Sequence, residues 1–530
     1  MKKKYISSNY LYWDTRESFP YYPDKLKKIY KKIYIKNYKK YSLWIDEISK
    51  ANINNINWWL SVPASRDERI SKLFHNICIF LTLKSFKNKK YKIKMIINSN
   101  ELKKIILKKI NITNVEIKLV TKNSYFKKLL IFLKEILLLF TNLCLIKIKF
   151  KEKKLKYLNI VDIFKIEKHK GHSFYGDFLN NINFRKNLKL VPTFLSYSPL
   201  KIYRLPKNNK NIYFKENIIN FKDIALIIKN FFSNYIILKN NNFLGINYNS
   251  LIKEEITVDE NFRSILNAYL NYYFFKNLRA KKIKLKNVVS WFENQIVDKG
   301  WSIGVNNFYP HINFIGYQGA TLHPQFFNLS PTKNEFKAKI LPKKIYLVGK
   351  KYLKNRKLFT KKPVYKITKF SRFDFSIKNK KKKYFLFLLS GIKHCDDHLL
   401  NIYKNFIKKY NKKNVFIKFH PILSSNNFEG VYKNEIRGNG SKIIQNSKFV
   451  ITTSYTSGLY ESMANNAYTV LIDYVVLDSL LYKDLRKFSK YIFFCKNSNE
   501  ISKIIKNLSF KNRQDLSKKN NKVKKMFFNK

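Results

Sequence analysis

The stretch that decides the fold runs from Phe449 to Asp473 and reads FVITTSYTSGLYESMANNAYTVLID. It opens with an apolar, β-branched run that is typical of a short buried strand. The run stops at a hydroxyl-rich turn, and a helical pattern of apolar and polar residues follows. Backbone N–H groups and the helix dipole favour negative charge at such a junction, so the stretch predicts an anion site. The candidate residues are Thr453, Ser454, Thr456, Ser457, Gly458 and, in the first helical turn, Glu461.

These residue types also have an ordinary structural interpretation. Threonine and serine form turns and cap helices, and an acidic residue in a first helical turn is stabilised by the dipole. Capping and phosphate binding use the same N–H groups, so the two interpretations do not exclude each other. For Glu461 the functional alternative is an acceptor for the hydroxyls of a ribose or sugar.

A second strand-like run, FIKFHP at Phe416–Pro421, lies shortly before the first. Proline disfavours a helix and pushes the preceding residue toward extended geometry. His420 is therefore offered at the carboxyl end of a strand, where α/β proteins hold their ligands. We interpret His420 as a donor to a phosphate, with Pro421 completing the motif; the alternative is a core or loop histidine.

The composition bounds the class of protein. A chain of 530 residues exceeds one ordinary core, so two or three domains are expected. A hydrophobic fraction of 45% predicts a folded protein. The formal charge of +72 fits nucleic-acid binding or the codon bias of an AT-rich genome. Lysine far outnumbers arginine, which favours codon bias, although a lysine-rich face should still be attracted to anionic lipid headgroups.

The cysteines and histidines do not form a recognisable metal motif. The four cysteines are far apart without a CxxC pair, which predicts free thiols in a reducing compartment. His394–His398, HCDDH, resembles a metal cluster but follows a strand-like run, so a loop and helix start is the other interpretation. We expect no metal and no cofactor. The first residues carry no apolar core of a signal peptide, so we expect no secretory signal.

One long apolar segment, Leu129–Ile148, stands out between lysine-rich flanks. Three interpretations fit it: a helix lying in the membrane interface, a buried core helix, or a transmembrane span. The charged pair Lys134-Glu135 inside the segment disfavours a span.

Alternating strand-like and helical patterns organise the rest of the chain. We expect α/β architecture with parallel sheets in two Rossmann-like domains that face a cleft. The predicted domains are residues 1–335 and 336–530, with an apolar and basic insertion at about 122–156. The lysine- and asparagine-rich tail after Arg513 is expected to be a solvated helix or a frayed end.

The first domain also offers acidic and basic candidates. Glu293 follows a strand-like run, and transfer to a hydroxyl acceptor needs a carboxylate that takes its proton. Arg66 and Arg69 are candidate acceptor or anion contacts, and Gln318 lies at a glycine-flanked strand tip that a ligand can approach closely. The alternatives for the carboxylate are Asp14, Asp67 and Glu68.

The sequence KFHP at Lys418–Pro421, followed by TTSYTSGLYE at Thr452–Glu461, resembles the C-terminal signature of GT-B transferases that build bacterial surface polysaccharides. These include Kdo, sialic-acid and polysialic-acid glycosyltransferases and the glycerophosphotransferases that polymerise teichoic acid. Surface carbohydrate biosynthesis proteins similarly carry WWLS, as at Trp58–Ser61, and an ENQ…GYQ segment, as at Glu293–Gln318. By this resemblance His420, Thr456 and Ser457 bind the donor's phosphate, and Glu293 is the matching base.

The resemblance implies an inverting, metal-independent glycosyltransferase of hexosyl, Kdo or sialyl type. Its partners would be a nucleotide-sugar donor, CMP-linked by first choice, and a glycan or lipid-linked acceptor of capsule, O-antigen or lipopolysaccharide type. It would work in the cytoplasm at the anionic inner face of the membrane, without a specific nucleic acid. The alternatives are a non-catalytic nucleotide-sugar-binding or assembly protein of the same fold and a basic nucleic-acid-binding protein.

Overall fold

The computed structural model describes most of the chain, with gaps between ordered segments. The described residues are 10–17, 19–86, 91–110, 114–120, 125–150, 157–164, 166, 174–179, 188–193, 198–206, 211–232, 235–239, 241–257, 262–319, 326–368, 375, 384–410, 414–420, 428, 434–436, 438, 440–508 and 521–529.

The strands of these segments, in chain order, are β1 Tyr10–Asp14, β2 Lys92–Ile97, β3 Val115–Leu119, β4 Tyr157–Ile163, β5 Leu188–Pro192, β6 Asn242–Phe243, β7 Ile246–Asn247, β8 Lys284–Trp291, β9 Asn313–Gln318, β10 Lys344–Leu347, β11 Val364–Ile367, β12 Tyr384–Leu388, β13 Val415–Lys418, β14 Ser447–Thr452, β15 Tyr468–Ile472 and β16 Ile492–Cys495. The helices are α1 Asp24–Lys50, α2 Ile56–Trp59, α3 Val62–Ser65, α4 Leu73–Ser85, α5 Asn100–Lys109, α6 Tyr125–Lys149, α7 Pro199–Tyr203, α8 Phe221–Phe232, α9 Asn249–Thr257, α10 Phe262–Ala280, α11 Ile296–Phe308, α12 Lys333–Lys337, α13 Lys350–Arg356, α14 Lys393–Ile407, α15 Gly440–Asn446, α16 Gly458–Ala464, α17 Asp478–Leu485 and α18 Ser498–Asn507.

Three parallel sheets carry the architecture, and the predicted α/β class is confirmed. A small sheet has the order β1-β2-β3, a large one β11-β10-β9-β8-β4-β5, and a third β13-β12-β14-β15-β16. The strand order reverses between β4 and β8 in the large sheet and between β12 and β14 in the third. Such switch points open a crevice at the carboxyl ends of the strands, where doubly wound proteins bind their ligands.

The change from one large sheet to the other falls later than the predicted boundary at residues 335–336. Strand β10 was expected to begin the second domain, but it pairs in parallel with β9, and β11 pairs with β10. An isolated apolar run does not indicate which strand it pairs with, so the sequence could not assign β10 to a sheet. We call residues 10–368 the first lobe and residues 384–508 the second lobe.

The predicted tail is not solvated in its last described part. Val523, Phe527 and Phe528 are completely buried. The ring of Phe527 packs against Tyr352 of the first lobe and Tyr460 of the second, with centroids 5.9 Å and 5.1 Å away. We call residues 521–529 the C-terminal strap, because it joins both lobes into one core.

Helix α6 forms the predicted apolar insertion. It is long and apolar enough to cross a membrane, yet only 17% of its most apolar window is buried. It is therefore not a core helix. The lysine-rich flanks at 121–124 and 151–156 lie outside the described residues.

Removing the anchor of the strap should destabilise the whole protein. We expect Phe527→Ala to lower the free energy of unfolding by about 3–5 kcal/mol, as for a phenylalanine removed from a core. The control Leu358→Ala removes a side chain that is 42% exposed and should change it by about 0.5 kcal/mol or less. Urea unfolding measures both. Equal effects of the two substitutions would show that the strap does not contribute to the core.

Candidate functional site

The second lobe gathers the predicted phosphate residues at its switch point. Strands β12, β13 and β14 end side by side, and Thr452 at the end of β14 donates a hydrogen bond from Oγ1 to the carbonyl of Leu388 at the end of β12, 2.7 Å away. His420 follows β13, and the hydroxyl-rich turn follows β14. The topology therefore brings the two separate motifs of the sequence to one edge of the sheet.

The first two hydroxyls of the turn face the protein interior. Thr453 and Ser454 are completely buried. Ser454 lies near the carboxylate of Asp478, whose pKa burial raises to about 7 and this hydroxyl partly lowers. Neither hydroxyl oxygen forms a well-aligned hydrogen bond within the described part of the chain. A ligand cannot reach these two hydroxyls in this conformation, because they lie on the interior side of the turn.

The second pair of hydroxyls lies nearer the surface. Thr456 is 9% exposed and Ser457 is half-buried. The N–H of Gly458 donates to Oγ1 of Thr456 at 3.2 Å, and the N–H of Tyr460 donates to the carbonyl of Ser457 at 3.1 Å. Because α16 is short and its first N–H groups already bond inside the turn, an anion would depend more on side chains than the sequence suggested.

Gly458 packs closely against the side chain of Leu388, which would have to shift to admit a larger residue. A Cβ there would lie 2.0 Å from Cδ2 of Leu388 at the end of β12. The turn therefore folds directly against the neighbouring strand. Glu461, the predicted ribose contact, is only 4% exposed in the first turn of α16.

His420 lies over another special glycine. Gly391, in the loop after β12, has a φ of +84°, and a Cβ on it would lie 2.5 Å from Nδ1 of His420. Asp396 of α14 holds this loop by accepting hydrogen bonds from the N–H groups of Ser390 and Gly391 at 2.7 Å and 2.8 Å. The half-buried imidazole therefore packs against the loop after β12, which these hydrogen bonds hold in place at the switch point. Pro421 lies outside the described residues.

The first lobe presents Glu293 at its own switch point, directly after β8. Its carboxylate accepts hydrogen bonds from Nε1 of Trp291 at 2.9 Å, Nε2 of Gln295 at 3.1 Å and the guanidinium of Arg69 at 3.2 Å. Its side chain is 13% exposed. Three donors, one of them charged, hold this carboxylate in one orientation.

Arg69 joins the two acidic parts of the first lobe. Besides Glu293, its guanidinium donates two hydrogen bonds to the carboxylate of Asp67, at 2.8 Å and 2.7 Å. The structure therefore brings together residues that the sequence named separately, at positions 66–69 and 293.

Two predicted contacts are placed in the interior instead. Arg66 is 2% exposed and donates to Glu335 at 2.8 Å and to the carbonyls of Phe327 and Ser330. Gln318 is 4% exposed, and its Oε1 accepts a hydrogen bond from Arg356 at 2.8 Å. Both residues therefore belong to the interior, whereas the side chain of Arg69 is 16% exposed.

Glu68, one of the alternative carboxylates, has a different environment from Glu293. Its Oε2 accepts a hydrogen bond from the hydroxyl of Tyr34, while no group in the described segments bonds its buried Oε1. Burial raises the pKa of Glu68 to about 7. Its charge in turn helps to raise the pKa of Tyr455 in the hydroxyl-rich turn, so the two groups lie close together.

A chain of contacts joins the two switch points. Glu293 pairs with Arg69, the guanidinium of Arg69 lies 5.8 Å from the ring centroid of Phe326, and Phe326 stacks on Tyr455 with centroids 5.3 Å apart. Tyr455 belongs to the hydroxyl-rich turn. The acidic groups of one lobe are therefore linked by contacts to the hydroxyl-rich turn of the other.

Aromatic contacts that the sequence did not indicate join the two lobes at His398 of α14. The hydroxyl of Tyr21 lies 2.6 Å from Nδ1 of His398, and the ring of Tyr474 lies 5.6 Å from that imidazole. Burial lowers the pKa of His394 and of His398 to about 4. The HCDDH segment forms the start of α14, and no group of three metal-ligating side chains occurs in the described parts of the chain.

Comparisons with known proteins give distant likenesses. No protein-family model matches the chain, and no curated protein matches its sequence significantly. Among solved structures it is similar to MurG of Acinetobacter baumannii, with 10% identity and a TM-score of 0.37 over 70% of this chain and 95% of that one. It is also similar to the wall teichoic acid polymerase TagF, with 12% identity and a TM-score of 0.34 over 76% of this chain and 92% of that one. For the glycotransferase of kitacinnamycin the identity is 7% and the TM-score 0.35, over 71% of this chain and 95% of that one.

The contact between Gly391 and His420 can be tested with a matched pair of glycines. We expect Gly391→Ala to displace the imidazole and weaken binding of inorganic pyrophosphate roughly tenfold, the worth of one hydrogen bond to a charged group. Gly438→Ala is the control, because Gly438 also has a positive φ, +114°, but a Cβ there meets nothing within 4 Å. Ligand-dependent thermal shifts measure both affinities. Equal weakening in the two variants would contradict the assignment.

Proposed function

We propose that this protein is a glycosyltransferase that moves a sugar from a nucleotide donor to a glycan or lipid-linked acceptor. The observation that carries the proposal is the contact chain from Glu293 through Arg69 and Phe326 to Tyr455. It sets a phosphate motif at one switch point opposite carboxylates at another. Group transfer from a phosphate to a hydroxyl needs these two elements, a stabiliser for the leaving phosphate and an acceptor for the proton.

On the donor side, His420 and the hydroxyls of Thr456 and Ser457 would stabilise the departing nucleotide phosphate. The close seat of His420 on Gly391 fixes the imidazole before the ligand arrives, which is what electrostatic stabilisation of a developing charge requires. These groups supply the stabilisation in our proposal, so it includes no metal.

On the acceptor side, the two carboxylates suit different roles. Glu293 already accepts hydrogen bonds from three donors, one of which is the guanidinium of Arg69. Glu68 has one hydrogen bond from Tyr34 and a pKa of about 7, which suits a group that takes a proton near neutral pH. We therefore propose Glu68 as the base and Glu293 as the residue that orients Arg69. This replaces the base that the family resemblance suggested.

The finer identity of the reaction follows from that resemblance. We propose a CMP-linked sugar as donor and a bacterial surface glycan, of capsule, O-antigen or lipopolysaccharide type, as acceptor. Direct attack by the acceptor hydroxyl, with the nucleotide leaving from the opposite face, gives inversion at the anomeric carbon. The proposed location is the cytoplasmic face of the inner membrane.

The role of His420 can be tested by donor turnover. We expect His420→Ala to lower hydrolysis or transfer of CMP-linked sugars on the order of 100-fold, the usual effect of removing one such donor. His311→Ala is the control, because His311 is an exposed histidine of the first lobe, at the turn before β9. Unchanged turnover in His420→Ala would exclude the role.

The two carboxylates can be separated by their pH profiles. If Glu68 is the base, kcat/KM should rise with pH up to about 7 and then level off, because the ionised carboxylate is the active form. Glu68→Gln should remove this limb and lower the rate by roughly 10²–10⁴-fold. Glu293→Gln should lower the rate and keep the limb.

Each other result has a defined meaning. A limb that disappears only in Glu293→Gln would return the role of base to Glu293. If none of Glu68→Gln, Glu293→Gln and Asp67→Asn reduces turnover, the base is none of these carboxylates. If the wild type binds nucleotide-sugars but turns none of them over, the chain is a non-catalytic binding protein of the same fold.

A further inference from the structure

Helix α6 leaves an apolar stripe uncovered. Leu129, Leu133, Leu137 and Phe140 recur at helical spacing and are 38%, 52%, 66% and 44% exposed. Side chains three and four residues apart lie on the same face of a helix. Contiguous apolar surface of this kind marks an interaction site on a protein that is otherwise rich in lysine.

The adjoining face of α6 is attached to the first lobe along its length. Phe132 stacks on Phe231 of α8, with centroids 4.7 Å apart, and Leu143 and Ile146 are completely buried. Midway, Glu135 accepts hydrogen bonds from Arg263 of α10 at 2.6 Å and 2.9 Å. The helix therefore lies flat on the protein, and spanning a bilayer would break all of these contacts.

Helix α8 extends the apolar stripe sideways. Its Phe221 contacts Phe140 of α6, with centroids 5.1 Å apart, and its Phe232 contacts Phe132 at 5.2 Å. The two helices thus run antiparallel, and Phe221 and Phe232 are 51% and 61% exposed. We call the stripe of α6 together with these two rings of α8 the apolar ridge.

Cationic side chains border the apolar ridge. On α8, Lys222 and Lys229 are exposed on one helical face, next to the face that carries Phe221 and Phe232. Lys147 of α6 lies over the ring of Phe221, 5.3 Å from its centroid. An apolar strip with cations beside it matches one kind of surface, an apolar interior below anionic headgroups.

We propose that the apolar ridge is a membrane-docking surface that inserts into the headgroup region of an anionic bilayer, with α6 parallel to the membrane plane. The apolar side chains would enter the boundary of the acyl chains while the bordering lysines contact lipid phosphates. The charge of the chain favours this occupant over a second copy of itself, because two equally cationic surfaces repel each other. The proposal does not depend on the sugar donor or on the catalytic residues.

Vesicle co-sedimentation tests the proposal directly. The wild type should bind vesicles of phosphatidylglycerol and phosphatidylcholine more tightly than vesicles of phosphatidylcholine alone, and salt should weaken the difference. Leu133→Ser/Leu137→Ser should reduce binding at least about tenfold, because two apolar side chains no longer insert. The control Leu107→Ser/Leu358→Ser changes two leucines that are 62% and 42% exposed elsewhere and should bind like the wild type.

Three control measurements show whether an effect on vesicle binding comes from the apolar ridge itself. Circular dichroism should be the same for both double variants, because all four leucines are exposed. Lys222→Gln/Lys229→Gln should weaken binding only to the anionic vesicles. A His420→Ala variant should bind vesicles like the wild type, so failed docking and failed catalysis are distinguished.

Three results would overturn the proposal. The first is equal vesicle binding by the ridge variant and its control, and the second is no binding by the wild type. The third is a wild-type dimer that the ridge variant converts to a monomer without any effect on vesicles, which would make a second copy the occupant.

Discussion

One buried carboxylate, Glu335, anchors the loops that carry the acidic side of the site. It accepts hydrogen bonds from Arg66 at 2.8 Å and from Asn294 at 3.1 Å, and Nζ of Lys299 lies 3.3 Å away. Burial alone would raise the pKa of Glu335, but the charges of Arg66 and Lys299 outweigh it and hold the pKa below its ordinary value. Arg66 leads directly into the segment with Glu68, and Asn294 follows Glu293. Removing one partner from such a cluster leaves an uncompensated buried charge, so the framework requires all members together.

The candidate site depends on two lobes that share one topological feature. In each, a reversal of strand order creates a crevice, and the polar residues directly after the strands fill it. Among the described residues, the candidate phosphate-binding groups lie in the crevice of the second lobe and the candidate carboxylates in that of the first. The stack of Phe326 on Tyr455 and the contact of Tyr21 with His398 bring the two edges together. The chemistry that we propose is therefore a property of the interface between lobes.

The sequence indicated the local elements of the donor side well, because strand, turn and helix there are consecutive. It failed where distant segments decide. The sequence analysis did not single out helix α1, although Tyr30, Tyr34 and Tyr41 are buried there at helical spacing. The burial of Thr453 could not be predicted either, because the sequence spacing of a turn hydroxyl is the same whether it faces solvent or core. The roles of Arg66 and Arg69 separated only when their partners were placed.

The C-terminal strap also closes the path of the chain between the lobes. The described chain leaves the first lobe at Thr368, and the strap returns to that lobe after the second. Asn529 of the strap donates a hydrogen bond to the carbonyl of Thr368 at 3.3 Å, so the outgoing and returning segments meet at one point. Tyr460, which follows the hydroxyl-rich turn, packs on Phe527 of the strap. The strap is therefore in contact both with the end of the first lobe and with the helix that begins at the hydroxyl-rich turn.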